Sequence, residues 1–136
     1  MIGSRPKYLN KKVVVDGITF DSKKEMQRYL VLKEAQDNGI ISDLELQPQF
    51  ELIPKVTETY VKHLKTKDKE CERTVQLAIS YKGDFRYKKD GIVVVEDVKA
   101  SPHRTALDPK FLIKEKLFRW KFGFSIKRVY KATDEV

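Results

Sequence analysis

Apolar and polar positions along this chain fall into short runs with two different periods. Val13-Val14-Val15 and Ile18-Thr19-Phe20 flank Asp16-Gly17. That arrangement predicts a β-hairpin over Lys11 to Phe20, with Asp16 used by the turn. From Lys23 to Asn38 the period becomes helical. Met26, Tyr29, Leu30 and Lys33 share one stripe, and Glu25, Arg28 and Leu32 share the adjacent one. Ser22-Lys23-Lys24-Glu25 has the form of a capping box, and Gly39 is placed to end the helix in a left-handed conformation. Leu44, Leu46, Phe50 and Leu52 then recur by two and predict a strand over Leu44 to Ile53. Pro48 within it argues for an edge position or a bulge.

The pattern fails between Pro54 and Arg73, where Lys62 to Arg73 is mostly charged. A stretch this long is usually functional or disordered. It reads either as a flexible hairpin extension that grips nucleic acid or as a solvated insertion. Val75 to Tyr87 predicts the next strand, which carries Asp84 and turns Phe85 and Tyr87 to the core. Lys89-Asp90-Gly91 joins it to Ile92-Val93-Val94-Val95, four β-formers expected in a strand buried on both faces. After a loop from Ala100 to Thr105, Asp108-Pro109 is an N-cap followed by proline at the first helical position. The helix from Lys110 to Lys121 is expected to pack Phe111, Leu112, Leu117, Phe118 and Trp120 and to expose Lys110, Lys114, Lys116 and Lys121. Gly123 ends it, Phe124 to Tyr130 forms a last strand, and Lys131 to Val136 is a tail.

The order is helix, three strands, helix, strand behind an N-terminal β-hairpin. A helix between two strands implies a crossover, so the fold class is α/β with a mixed sheet. The 136 residues make one domain, with about 54–74 as an insertion. A net charge of +8 favours an anionic partner, nucleic acid before a membrane surface. No window approaches eighteen apolar residues, so no membrane span is expected. The single cysteine, Cys71, makes neither an internal disulfide nor a zinc cluster, which suits a reducing cytoplasm.

Candidate chemistry gathers at one end of the second hairpin. Asp97 and Lys99 point to the same side of their strand, and Asp84 lies in its partner. Mg²⁺ takes oxygen ligands and keeps several waters, so one or two carboxylates suffice. Held against a phosphodiester, it polarises a phosphoryl oxygen and activates water. A neighbouring lysine can orient that water or neutralise developing charge. The plainer reading is a solvated ion pair closing a strand. The position after a buried run favours the first, because ionic groups there are costly unless paired or metal-bound. Glu25 either caps its own helix or reaches the acidic site. Gln47 could face the site or solvent.

The order αβββαβ, with Asp84 on the second strand and Asp97-Val98-Lys99 on the third, resembles the core of the PD-(D/E)XK nuclease superfamily. Glu25 matches the first-helix glutamate of many members, including archaeal-type Holliday junction resolvases and the transposase subunit TnsA. The stretch Asp16 to Glu25 and the later Leu46-Gln47-Pro48-Gln49-Phe50 look like a family of small phage-encoded proteins within that superfamily, known as a domain of unknown function. The likeness covers nearly the whole chain, least well from about Thr57 to Glu72. Gly83 stands where many members have the proline before the first acid.

This resemblance implies Mg²⁺- or Mn²⁺-dependent cleavage of DNA in phage replication or recombination. Asp84, Asp97 and the backbone carbonyl of Val98 would hold the metal, and Lys99 would position or activate water. Glu25 would be a further ligand or would orient water. Lys23, Arg86, Arg104, Lys110 and Lys114 are candidate DNA contacts. With no base-reading module, action on branched, flapped or four-way DNA is expected. A pair of symmetric cuts would need a homodimer. The location implied is the host cytoplasm. Rival readings are a DNA-binding module that does not cut and a phage protein that binds a host protein.

Overall fold

The structure is a computed structural model that describes residues 11–136, apart from the side chain of Arg104. In chain order the elements begin with strands β1 (Val13–Val15) and β2 (Ile18–Phe20), helix α1 (Lys23–Asp37) and strand β3 (Ser42–Leu46). Four strands follow: β4 (Gln49–Ile53), β5 (Val56–His63), β6 (Asp68–Gln76) and β7 (Ile79–Lys82). The chain then makes β8 (Phe85–Lys89), β9 (Ile92–Val98), a 3-10 turn at Arg104–Ala106, α2 (Pro109–Phe122) and β10 (Lys127–Val129). The elements group into two compact units. Among the described residues, one holds 11–48 with Gly83–Asp108 and Ile126–Val136; the other holds Gln49–Lys82 and Pro109–Ser125.

The first unit is built on a four-stranded sheet in the order β10-β9-β8-β3. β10 runs parallel to β9, and the other pairings are antiparallel. This is the expected mixed sheet of an α/β chain, and β1 and β2 form the expected N-terminal hairpin. Both Asp-Gly turns have positive φ at each residue, as the tight hairpin turn requires. Ser22 Oγ accepts the Glu25 N–H at 3.1 Å, and Gly39 at φ +74° ends α1 as expected. Tyr29, Leu32 and Ala35 of α1 bury against Phe20, Ile41, Phe85 and Tyr87.

A buried ion pair ties α1 to β9. Arg28 is wholly enclosed and grips Glu96 twice, Nε to Oε1 and Nη2 to Oε2, each at 2.7 Å. The Tyr87 hydroxyl donates to Glu96 Oε2. Arg28 also donates to the backbone carbonyls of Ala132, Asp134 and Glu135. Burial works against the Arg28 charge, but the Glu96 carboxylate more than offsets it and raises the pKa. The segment after Tyr130 is therefore fastened to the core, where a plain tail is expected from sequence.

Several element boundaries differ from the sequence expectation. Leu44 to Ile53 is two strands, because Gln47 has φ +51° and Pro48 has no N–H to give a ladder. β3 takes the edge of the four-stranded sheet, whereas β4 pairs with β7. The expected strand from Val75 to Tyr87 is likewise broken, with Asp84 in a bend between β7 and β8. β9 is enclosed only towards its end: Ile92 is exposed, whereas Val95, Glu96 and Asp97 are buried. The final strand is shorter than expected, Lys127–Val129.

In the second unit the charged stretch is an antiparallel hairpin, β5 with β6, running from Val56↔Gln76 to His63↔Asp68. Its strands are almost entirely exposed, which is why no alternation marks them in the sequence. Phe118 is fully buried among Phe50, Tyr81, Phe122 and Phe124. Trp120, expected in this core, is exposed. At about 100° per residue it stands roughly 200° around the helix from Phe118. Among the described residues no helix is long and apolar enough to cross a membrane.

Candidate active site

The site begins where β8 leaves the ladder. Phe85 pairs with Glu96. One step earlier, Asp84 still donates its N–H to the Glu96 carbonyl at 3.0 Å, but Gly83 turns to donate to Pro48 O at 2.9 Å. The ladder so loses its donor–acceptor exchange at Val98, and a buried amide without a partner is costly. The Asp84 carboxylate takes that place, its Oδ2 accepting the Val98 N–H at 2.7 Å. Gln47 donates its N–H to the Asp84 carbonyl at 2.9 Å. Both bonds hold Asp84 beside the end of β9, where the charge of Asp97 acts on it.

Asp97 is nearly buried, and its Oδ1 lies 2.9 Å from Lys99 Nζ. Alternation along β9 turns Glu96 to the Arg28 side and Asp97 and Lys99 to the other. The ladder with β10 is continued where Lys99 donates its N–H to Val129 O at 2.7 Å. The same ladder aligns Arg128 with Asp97, which sets a second cation-bearing residue on the Asp97 face. Beside these a cavity of about 180 Å³ is lined by Ser22, Lys24, Glu25, Val98, Lys99 and Ala100. Lys24 Nζ approaches the Lys99 carbonyl at 3.4 Å.

The electrostatics join the group. The Asp84 carboxyl is pushed up to about 8, first by burial, then by the charges of Asp97 and Glu25. The Val98 N–H and the Lys99 ammonium pull the other way without cancelling this. Glu25, Asp97 and Lys99 therefore all act electrostatically on Asp84, and Lys99 pairs with Asp97. Such a set of hard oxygen donors fits Mg²⁺ or Mn²⁺, because a divalent cation would relieve the repulsion between buried carboxylates. Among the described residues no three His, Cys, Asp or Glu side chains converge into a metal cluster by themselves. Mg²⁺ needs only one or two carboxylates and keeps water for its other positions.

The remaining candidates are placed as follows. Lys23 is exposed on the first turn of α1, and its neighbour Lys24 is the lysine at the cavity. Arg86 is half-buried, 3.8 Å from Glu45 on the neighbouring β3. Lys110 and Lys114 lie on α2 in the second unit. The side chain of Arg104 lies outside the described residues. Sequence reasoning missed Lys24, Arg128 and the Arg28–Glu96 pair. Lys24 sits in the capping sequence and was legible by position. Arg128 depends on the β9–β10 register, which no local pattern carries.

The family model described as "Protein of unknown function (DUF1064)" matches residues 5–133. No curated protein and no solved structure matches the chain.

Proposed function

The chain belongs to the DUF1064 family, whose description states no activity, and from its own side chains we propose that it is a divalent-metal-dependent DNA endonuclease. The observation that carries this reading is the half-buried Asp84 carboxyl, whose pKa is raised first by desolvation and then by the charges of Asp97 and Glu25. Structural ion pairs are arranged to lower such repulsion, whereas metal sites retain it for the cation. The spacing Asp84, then Asp97-x-Lys99, is that of the PD-(D/E)XK nucleases, and membership of that superfamily is part of the same proposal.

Asp84, Asp97 and the Val98 carbonyl would hold Mg²⁺ or Mn²⁺, with Glu25 as a further oxygen donor at the cavity. When bound, the ion supplies Lewis-acid polarisation of the scissile phosphate and a more acidic water. Lys99 is held by Asp97 at 2.9 Å, so its ammonium is directed to that spot. There it orients the attacking water and offsets charge that develops on phosphorus oxygens. Glu25, in the first turn of a helix capped by Ser22 and lining the cavity, would accept a hydrogen bond from that water. The Val98 N–H keeps Asp84 in place before substrate arrives.

The net charge of +8 supplies sequence-independent attraction to phosphates. With no base-reading module among the described residues, the substrate class favoured is branched, flapped or four-way DNA, and two symmetric cuts would use a homodimer. A cytoplasmic setting, the host's if the protein is phage-encoded, completes the reading. Linear, flapped and four-way DNA incubated with Mg²⁺ or Mn²⁺ provides the test. Wild type is expected to cut at least one form, and Asp84→Asn and Lys99→Ala to abolish cutting while keeping most DNA binding. Undiminished cleavage by Asp84→Asn would refute the site. Binding without cleavage of every form would leave a DNA-binding module, and a stoichiometric host protein recovered from nuclease-treated lysate would leave an interaction protein.

A further inference from the structure

The outward face of α2 has no role in the chemistry above. Phe111 and Phe118, seven residues apart, share the buried side of this helix. Ile113 and Trp120 are each two residues further on, and so share the opposite side. Trp120 is 76% exposed and Ile113 59% exposed. Lys116, between them on the same stripe, is exposed as well. The inward side is already filled by aromatic rings: Phe50, Phe122 and Phe124 lie 5.1, 4.8 and 5.2 Å from Phe118, centroid to centroid, and Phe50 lies 5.6 Å from Phe122. The most exposed large hydrophobic residue of the helix, Trp120, thus has a large apolar area to lose from water.

The charge around Trp120 indicates what covers it. α2 carries Lys110, Lys114, Lys116, Arg119 and Lys121 against a single acid, Glu115. Lysine is depleted in the buried centres of protein interfaces, and two apolar positions are too few for a membrane-seated helix. An exposed indole flanked by cations is instead the chemistry of strand-binding surfaces. Cations take the phosphates, and the ring face takes a base. Bases within a duplex hide their faces in the stack, so only an unpaired base can lie on the indole. We propose that the α2 face centred on Trp120 is a stacking platform for an unpaired base of a DNA strand, with Lys116 and Arg119 holding its phosphates. This surface deepens the nuclease reading by naming the feature of the DNA that is engaged, and it rests on that reading for its substrate.

Trp120 is the only tryptophan of the chain, so intrinsic fluorescence reports on the platform directly. The full-length protein is titrated in EDTA with a fluorescently labelled single-stranded oligonucleotide and with a blunt duplex of equal length. Binding is followed by anisotropy and stacking by indole emission. Saturable quenching by the single strand, absent with the duplex, is expected. Trp120→Ala should weaken single-strand binding by about 5- to 100-fold, Trp120→Phe should restore most of it, and melting curves of both should match wild type. Lys116→Ala should lower the salt dependence of binding by about one phosphate contact. Bound single strand with unchanged emission would overturn the platform, even if the enzyme cuts DNA. An emission shift that follows protein concentration alone would also overturn it, in favour of contact between copies. Quenching with no metal-dependent cleavage would uphold the platform and sink the nuclease reading.

Discussion

Replacing Asp84 with asparagine tests the electrostatics of the site without requiring any substrate. The side chain keeps its shape and an oxygen that can accept the Val98 N–H, but can no longer ionise. In the folded chain the Asp84 pKa is raised from an ordinary 3.8 to about 8. Between those values the folded protein holds a proton that the unfolded chain has released. Folding therefore takes up a proton, and stability falls as pH rises through that window. By pH 7 the group has passed about three units, which at about 1.4 kcal/mol per unit sets a ceiling near 4 kcal/mol. Relaxation and the weaker neutral hydrogen bond reduce this to about 2 kcal/mol.

Asp84→Asn should accordingly raise the melting temperature by about 6 °C in EDTA at neutral pH. The gain should vanish near pH 4, where both proteins are uncharged at this position. Adding Mn²⁺ or Mg²⁺ should then stabilise wild type by about 2.7 kcal/mol at a hundredfold excess over its Kd and leave the variant unmoved. Paired calorimetric scans at pH 4 and pH 7.5, with and without metal, give all four numbers. A variant no more stable than wild type in EDTA at pH 7.5 would refute the account of a carboxyl whose ionisation the fold opposes. A gain that persists unchanged at pH 4 would refute its electrostatic origin.

Two further expectations concern the frame that holds the site. Arg28→Met strands Glu96 in the core and removes the donors to the Ala132, Asp134 and Glu135 carbonyls, so urea melts should show a loss of about 3–5 kcal/mol. A second change, Glu96→Leu, should recover part of that loss; a single-variant loss below about 1 kcal/mol would contradict a tightly coupled pair. Ser22→Ala removes the acceptor of the Glu25 N–H and should lower stability by about 1 kcal/mol in thermal melts. Because the same turn carries Glu25, that variant should also reduce cleavage more than its stability loss explains.

Local chemistry written in the sequence was legible wherever one residue decides the backbone. Both Asp-Gly pairs predict turns because two successive positive φ values strongly favour those residue types, and Ser22 and Gly39 bound α1 for the same kind of reason. The acids and the lysine of the candidate site were also readable, since Asp97 and Lys99 share a face by alternation alone. The alternation of Leu44 to Ile53 was readable too, but it concealed a break, because Gln47 and Pro48 redirect the chain without disturbing its hydrophobic period. Trp120 departs from the sequence expectation because its angle of roughly 200° from Phe118 turns it away from the core that its apolar character suggests.

Only long-range pairing decided the rest. Burial of Arg28 becomes favourable once β9 presents Glu96 to it, 68 positions along the chain. Similarly, Asp84 acquires its raised pKa first from burial and then from the charges of Asp97 on β9 and Glu25 on α1. The sequence by itself determined the turns, the helix ends and the residue types available for chemistry, because those follow from the φ, ψ and hydrogen bonds of neighbours. The tertiary structure decided which of those residues meet and which charges lose their water, because a charge's free energy depends on surroundings that distant segments supply.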